Sequence, residues 1–223
     1  MSESPLTAGG MRRKPRQARS QERVKRILDV AEDLFASQGY SATTTNAIAA
    51  RAQVSIGSLY QFFPDKTAIL RALALRYAEM LHQELAAINE TELVALSLSD
   101  YVDRLIDTTD RFFTENPSYY AIFMEVQGTI HELAEIDEIT DAKLIQDLAN
   151  SLAKRDARLT PADCEAIAFV LVKAIGTLLW LSLGQEKLFR ERLVTETKRL
   201  TLKYLQSYFP SDPMPPNNSA GAD

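Results

Sequence analysis

Apolar positions recur at helical spacing along most of this chain. From 20 to 38, Val24, Ile27, Leu28, Ala31, Leu34 and Phe35 fall on one face, with Ser20 as the predicted N-cap and Gly39 placed to stop the helix. The stretch TTTNAIAARA predicts a second helix of about two turns, capped by Thr43 or Thr44, whose alanines allow close contact with a neighbour. Ala52, Gln53 and Val54 leave room for a tight turn. Ser55 then caps a third short helix, IGSLYQF, which must end before Pro64. Beyond it, Ile69, Leu70, Leu73, Tyr77, Met80, Leu81 and Leu85 mark a long fourth helix. Tyr101, Val102, Leu105, Ile106, Thr109, Phe112 and Phe113 mark a fifth, closed by Asn116 and Pro117. SYYAIFMEVQG continues as an aromatic helix, HELAEIDEITDAKLIQDLANSLAKR as a solvent-facing helix or pair, and EKLFRERLVTETKRLTLKYLQSYF as a last amphipathic helix. No strand pattern competes, so the fold class is all-α.

One segment invites a different interpretation. AIAFVLVKAIGTLLWLSLG, 166–184, approaches the length of a membrane span, but a central Lys such as Lys173 costs about 2.5–3.5 kcal/mol on insertion scales. A helix apolar nearly all round otherwise sits in a core or a subunit interface. Leu171, Ile175, Leu178, Leu179 and Trp180 are more than one amphipathic neighbour can cover. By itself this says only that they are buried.

Charge divides the chain in two. The net charge is −5, yet residues 1–76 carry 12 Lys and Arg against 6 Asp and Glu, a balance of +6, while the remainder carries 13 against 24, or −11. The basic residues gather in RRKPRQARSQERVKR, 12–26, which suits a polyanion: nucleic acid or an anionic membrane surface, with a solubilising tail as the plain alternative. The single cysteine, Cys164, excludes an intrachain disulfide framework, and the separated His82 and His131 leave no His/Cys metal cluster. No metal or cofactor is expected. The basic start is followed by polar sequence rather than an apolar signal core, so a cytoplasmic location is expected.

Two short helices joined by a tight turn behind a longer one follow the plan of a helix-turn-helix. With Ser55 as cap, Leu59 and Phe62 or Phe63 return to the first helix. Ile56, Gly57, Ser58, Tyr60 and Gln61 stay near the exposed N-terminal portion, the end that a recognition helix offers to base edges. Glycine there permits close approach to phosphates, Ser58 and Tyr60 carry hydroxyls, and Gln61 has the paired donor and acceptor that suit adenine. Taken singly, a tyrosine is more often core and a glutamine more often solvated.

The segment TTTNAIAARAQVSIGSLYQFFPDKTAIL, preceded by ARSQERVKRILDVAEDLFASQGY, resembles the DNA-binding domain of TetR-family transcriptional regulators from about Arg16 to Leu70. The Thr-Thr start, the Ile-Ala pair, Val54-Ser55, Leu59-Tyr60, Phe63 and Lys66 are in register with it. The resemblance implies that Thr45 and Asn46 on the second helix, Ile56, Gly57, Ser58, Tyr60 and Gln61 on the third, and Lys66 at the start of the fourth contact duplex DNA. Tyr60 and Lys66 would meet phosphates; Asn46, Ser58 and Gln61 are the candidates for reading bases. Gln53 stands where the family commonly has glycine, at a cost of about 1 kcal/mol if the position is left-handed. The arm residues Arg12, Arg13, Lys14 and Arg16 would track the backbone or enter a minor groove.

The architecture so implied is an N-terminal three-helix helix-turn-helix head joined by a long helix to a C-terminal helical ligand-binding and dimerisation domain. Its boundaries would be 1–15 for a flexible basic tail, 16–66 for the DNA-binding domain, 67–209 for the effector-binding and dimerisation domain, and 210–223 for a disordered tail. The partners implied are an operator duplex, a small apolar or amphipathic effector and a second copy of the chain, with no membrane. The family dimerises through its two final helices, and the resemblance thereby makes Leu171, Ile175, Leu178 and Trp180 the candidate interface residues. Leu105, Phe112, Phe123, Met124 and Gln127 are the candidate effector-pocket residues, with an ordinary core as the alternative. Acidic pairs such as Asp103 and Asp107 are expected on a solvated face, and no catalytic constellation is visible. The rival classes are a basic-tailed membrane-surface or nonspecific nucleic-acid-binding protein and a helical enzyme on an apolar substrate.

Overall fold

The structure is a computed structural model that describes residues 18–91, 96–126 and 131–210. The two expected tails lie outside the described residues, apart from Pro210. Among the described residues there are nine helices and no strand: α1 (Ala18–Gln38), α2 (Thr45–Arg51), α3 (Ile56–Phe62), α4 (Lys66–Thr91), α5 (Leu98–Glu115), α6 (Pro117–Val126), α7 (His131–Arg155), α8 (Pro161–Ser182) and α9 (Lys187–Tyr208). The chain is all-helical, as its periodicity predicts. It divides into two compact units, Met1–Leu81 with Glu115–Thr140, and His82–Thr114 with Asp141–Asp223.

The first unit, the head, is built on one buried cluster. Ile27, Ala31, Leu34 and Phe35 of α1 meet Ile48 and Ala49 of α2, Leu59 and Phe62 of α3, Ile69, Leu70 and Leu73 of α4, and Ile122 and Val126 of α6. Seven residues are too few for a helix to persist alone in water, so α2 and α3 owe their existence to this burial and to their caps. Thr44 caps α2, accepting the Ala47 N–H at 3.1 Å, and Ser55 caps α3, accepting the Ser58 N–H at 3.1 Å. Thr43 is not a cap. It is buried, and its hydroxyl donates to the Gly39 carbonyl at 2.8 Å. Nor does Ser20 cap α1, because the helix already begins at Ala18 and Ser20 lies within its first turn.

Gly39 ends α1 as expected, at φ +87°, with its N–H donating to the Phe35 carbonyl. Gln53 adopts φ +55° in the α2–α3 turn, the left-handed conformation that glycine accepts most readily. Asp65 starts α4 by accepting the Ala68 N–H at 2.7 Å. An ion-pair network crosses from α4 to α1: Arg76 meets Asp29 at 2.6 Å and also Glu32, which accepts from the Tyr77 hydroxyl as well.

The second unit packs α5, the later part of α7, α8 and α9. Tyr101, Val102, Ile106 and Phe112 of α5, Leu148 and Leu152 of α7, Ile167, Leu171, Ile175 and Leu179 of α8, and Leu205 of α9 are buried. The α7 segment is therefore one helix, and its second half carries core residues rather than facing solvent throughout. Asp103 and Asp107 remain exposed, yet both face Lys198 of α9, at 3.1 and 2.7 Å, and Arg190 pairs with Asp110. Thr160 and Asp163 form a reciprocal capping box at the start of α8, with Pro161 as its first residue. Lys173 of α8 is paired with Asp141.

The turn and caps make a measurable pair. Gln53→Gly is expected to stabilise the chain by about 0.5–1 kcal/mol by removing left-handed strain, whereas Ser55→Ala is expected to destabilise it by about 1 kcal/mol. Urea midpoints measure both, and a Gln53→Gly chain less stable than the parent would show that the strain is not what sets the turn.

Candidate nucleic-acid interface

The third helix presents two faces because its periodicity is split by the cap. Leu59 and Phe62 point inward, and Phe63, just past the helix, is fully buried. Ile56, Gly57, Tyr60 and Gln61 lie on the opposite side and are exposed, Ile56 at 37% and Tyr60 at 41%. A side chain added at Gly57 would meet nothing within 4 Å. The fold therefore does not require glycine there, although a helical glycine costs about 0.5–1 kcal/mol relative to alanine. The open space it leaves is available to a molecule outside the protein.

Two polar contacts fix this face. The Tyr60 hydroxyl and the Thr45 hydroxyl lie 3.1 Å apart, joining the first residue of α2 to α3. Arg23 of α1 donates to the Ser58 hydroxyl at 3.3 Å, and Ser58 is half-buried. Ser58 thus faces α1, while Asn46, exposed on the first turn of α2, and Gln61 are the amide side chains on the open surface.

Lys66 occupies a different setting from that of an extended surface cation. Its ammonium donates to the carbonyls of Tyr40 at 2.6 Å, Ser41 at 3.3 Å and Thr43 at 2.8 Å, and it lies 4.3 Å from the centre of the Tyr40 ring. All three ammonium protons have partners within the head. Burial lowers its pKa, against the pull of Glu125.

Glu125 was not among the expected site residues. From the last turn of α6 its carboxylate accepts the Tyr40 N–H at 2.7 Å and the Ser41 N–H at 3.1 Å. These backbone donors, Tyr40 first, hold its carboxyl below the usual glutamate range. No local pattern links Glu125 to a turn 84 residues earlier, nor Arg23 to Ser58 35 residues later. Only the packing of α6 and α1 into the head brings them together.

The remaining expected residues fall elsewhere. Leu105 and Phe112 are buried in the second unit; Phe123 is half-buried and Met124 exposed on α6 in the first; Gln127 lies outside the described residues. Leu171 and Ile175 are buried within their own unit, Leu178 is half-buried, and Trp180 lies edge-on to Phe113 with ring centres 5.8 Å apart.

Two short capped helices joined by a tight turn behind α1, in a chain whose other described elements are also helices, follow the plan of helix-turn-helix transcriptional regulators. Residues 27–73 match the bacterial regulatory proteins of the tetR family, and residues 97–205 match the tetracyclin repressor-like C-terminal domain. The chain belongs to the TetR family, whose members are transcriptional regulators and not enzymes. It is 42% identical to the transcriptional repressor KstR of Rhodococcus jostii over 60 residues, which is 27% of this chain and only 28% of KstR. Similarity to the regulator MT1294 of Mycobacterium tuberculosis is lower, 29%, but extends over 77% of this chain and 81% of that protein. Among solved structures, a TetR-family regulator from Streptomyces coelicolor superimposes with a TM-score of 0.59 at 26% identity, covering 83% of this chain and 98% of that one.

The Glu125 bonds give a pH signature. A depressed carboxyl pKa means that the ionised form is favoured in the folded chain, so these bonds persist through neutral pH and are lost as pH falls through the depressed value. The Tyr40 and Ser41 amide resonances are expected to titrate together with a midpoint below the ordinary glutamate value of 4.5. A midpoint at or above that value would mean that the contact does not persist in solution.

Proposed function

We propose that this chain is a homodimeric, cytoplasmic transcriptional repressor that binds an inverted-repeat operator and is released by a small apolar or amphipathic effector. The observation that carries the DNA-binding part is the open face of α3, where Ile56, Gly57, Tyr60 and Gln61 are exposed together on a capped helix anchored by the burial of Leu59 and Phe62. Residues 16–66 form the DNA-binding domain and 67–209 the effector-binding and dimerisation domain. Asn46 and Gln61 read base edges, Thr45 and Tyr60 meet the backbone as a hydrogen-bonded pair, and Ile56 and Gly57 line the approach to the groove. Ser58 and Lys66 support this surface from within. The excess of basic residues in 1–76 supplies the nonspecific attraction to phosphate.

The dimer reading rests on α8 and α9. α8 is long and apolar enough to cross a membrane, and only a third of its apolar window is buried within the chain. Besides the core stripe that includes Leu171 and Ile175, α8 carries Phe169, 52% exposed, and Leu181, 56% exposed; α9 adds Leu188 at 75% and Leu200 at 53%. A second copy would cover this face, and the interface is then built from these exposed residues rather than from Leu171 and Ile175. Two recognition helices about 34–36 Å apart would reach successive major grooves.

Effector release requires a ligand that discriminates between two states of the dimer. Leu105 and Phe112 supply apolar surface in the second unit, and His82 is a candidate polar anchor there. Its Nε2 lies 2.6 Å from Asp147 while its buried Nδ1 has no partner among the described residues. With Asp147 accepting from Nε2–H, Nδ1 is left as an acceptor for a ligand hydroxyl or amide.

Selection of random duplexes by the purified chain, sequenced at two salt concentrations, tests the central claim. An enriched inverted repeat is expected; salt-sensitive binding without a motif would leave only nonspecific attraction to polyanions. On the selected operator, Gln61→Ala is expected to relax preference at one position in each half-site, at about 1–3 kcal/mol. The double substitution Phe169→Asp with Leu181→Asp is expected to sediment as a monomer, and an intact dimer would move the interface elsewhere.

A further inference from the structure

The turn between α1 and α2 is held from two sides by charged groups of opposite sign. Its amides at Tyr40 and Ser41 donate to Glu125 on α6, and its carbonyls at Tyr40, Ser41 and Thr43 converge on Lys66 at the start of α4. Gly39, which opens the turn at φ +87°, also makes room for the carboxylate: a side chain there would meet the two Glu125 oxygens at 3.2 and 3.3 Å. Consecutive amides after a left-handed residue form a concave anion site, and here the anion is supplied by the chain itself.

The turn leads straight to the proposed DNA surface. Thr43 is tied back to Gly39, Thr44 caps α2, and Thr45 and Asn46 follow at once. Meanwhile α6 is anchored independently of Glu125, through Ile122 and Val126 in the head core. The carboxylate is exposed, so water replaces it with little loss of global stability. Its removal then acts on the geometry of the turn more than on whether the head folds.

We infer that Glu125 is a positioning residue for DNA recognition, fixing through the Tyr40 and Ser41 amides the turn that presents Thr45 and Asn46 to the duplex. This rests on the DNA-binding function proposed above.

The test compares the full-length wild type, Glu125→Gln and Glu125→Ala on a panel of duplexes built around the selected operator, together with thermal midpoints and amide exchange at Tyr40 and Ser41. Glu125→Ala is expected to bind every duplex about threefold to tenfold more weakly, without changing their ranking. Its two amides should exchange faster, and its midpoint should stay close to that of the wild type. Glu125→Gln keeps an acceptor without the charge and is expected to fall between. Unchanged affinity in Glu125→Ala overturns the inference, as does tighter binding, which would mean that the carboxylate competes with a DNA phosphate for the turn. Affinity lost only in step with a collapsing midpoint in both variants would make Glu125 merely structural. A wild type that selects no duplex would overturn the DNA-binding function itself, an outcome distinct from wild-type binding that is indifferent to Glu125.

Discussion

A seven-residue helix has no independent stability, and the proposed function of this chain depends on one. The burial of Leu59, Phe62 and Phe63 against α1, α2 and α4 is what keeps α3 folded. That inward commitment also leaves the other side of the helix open. With Ser55 fixing where the helix begins, the same rotation that buries Leu59 exposes Tyr60 and Gln61. Stability and recognition are therefore the two sides of one short element.

Polar contacts around this core set orientation rather than bulk stability. Arg23 to Ser58 and Thr45 to Tyr60 join α3 to its neighbours, while Lys66 and Glu125 hold the turn ahead of α2. Each is partly exposed, so each contributes modestly to folding. Their value lies in directing backbone segments that hydrophobic packing alone would leave less defined. Lys66 illustrates the point: a lysine at the start of α4 suggests a phosphate contact, yet three carbonyls of the head already surround its ammonium.

The second unit depends on a helix with more apolar surface than its own neighbours cover. The stripe of Ile167, Leu171, Ile175 and Leu179 packs against the rest of the unit, whereas Phe169 and Leu181 remain outside. Ion pairing of Lys173 with Asp141, and the clasp of Lys198 by Asp103 and Asp107, fasten the charged positions to partners on other helices. An apolar helix of this kind passes a compositional test for a membrane span, but its charged and capped features belong to a packed helical domain.

Much of the molecule was legible in its sequence because helices are local objects. Spacing at three and four residues, Ser55 as a cap, Gly39 as a stop and Asn116-Pro117 as a break are written within a few residues of the structure they specify, and they gave the all-helical class. The resemblance carried by residues 16–70 added the family. What the sequence left open were choices between equally good local candidates: Thr43 or Thr44 as the cap of α2, and one helix or a pair over the acidic segment that became α7. Those were decided only by tertiary structure. A side chain's partner depends on which helices pack together, and contacts such as Glu125 with Tyr40 join residues that no local periodicity relates.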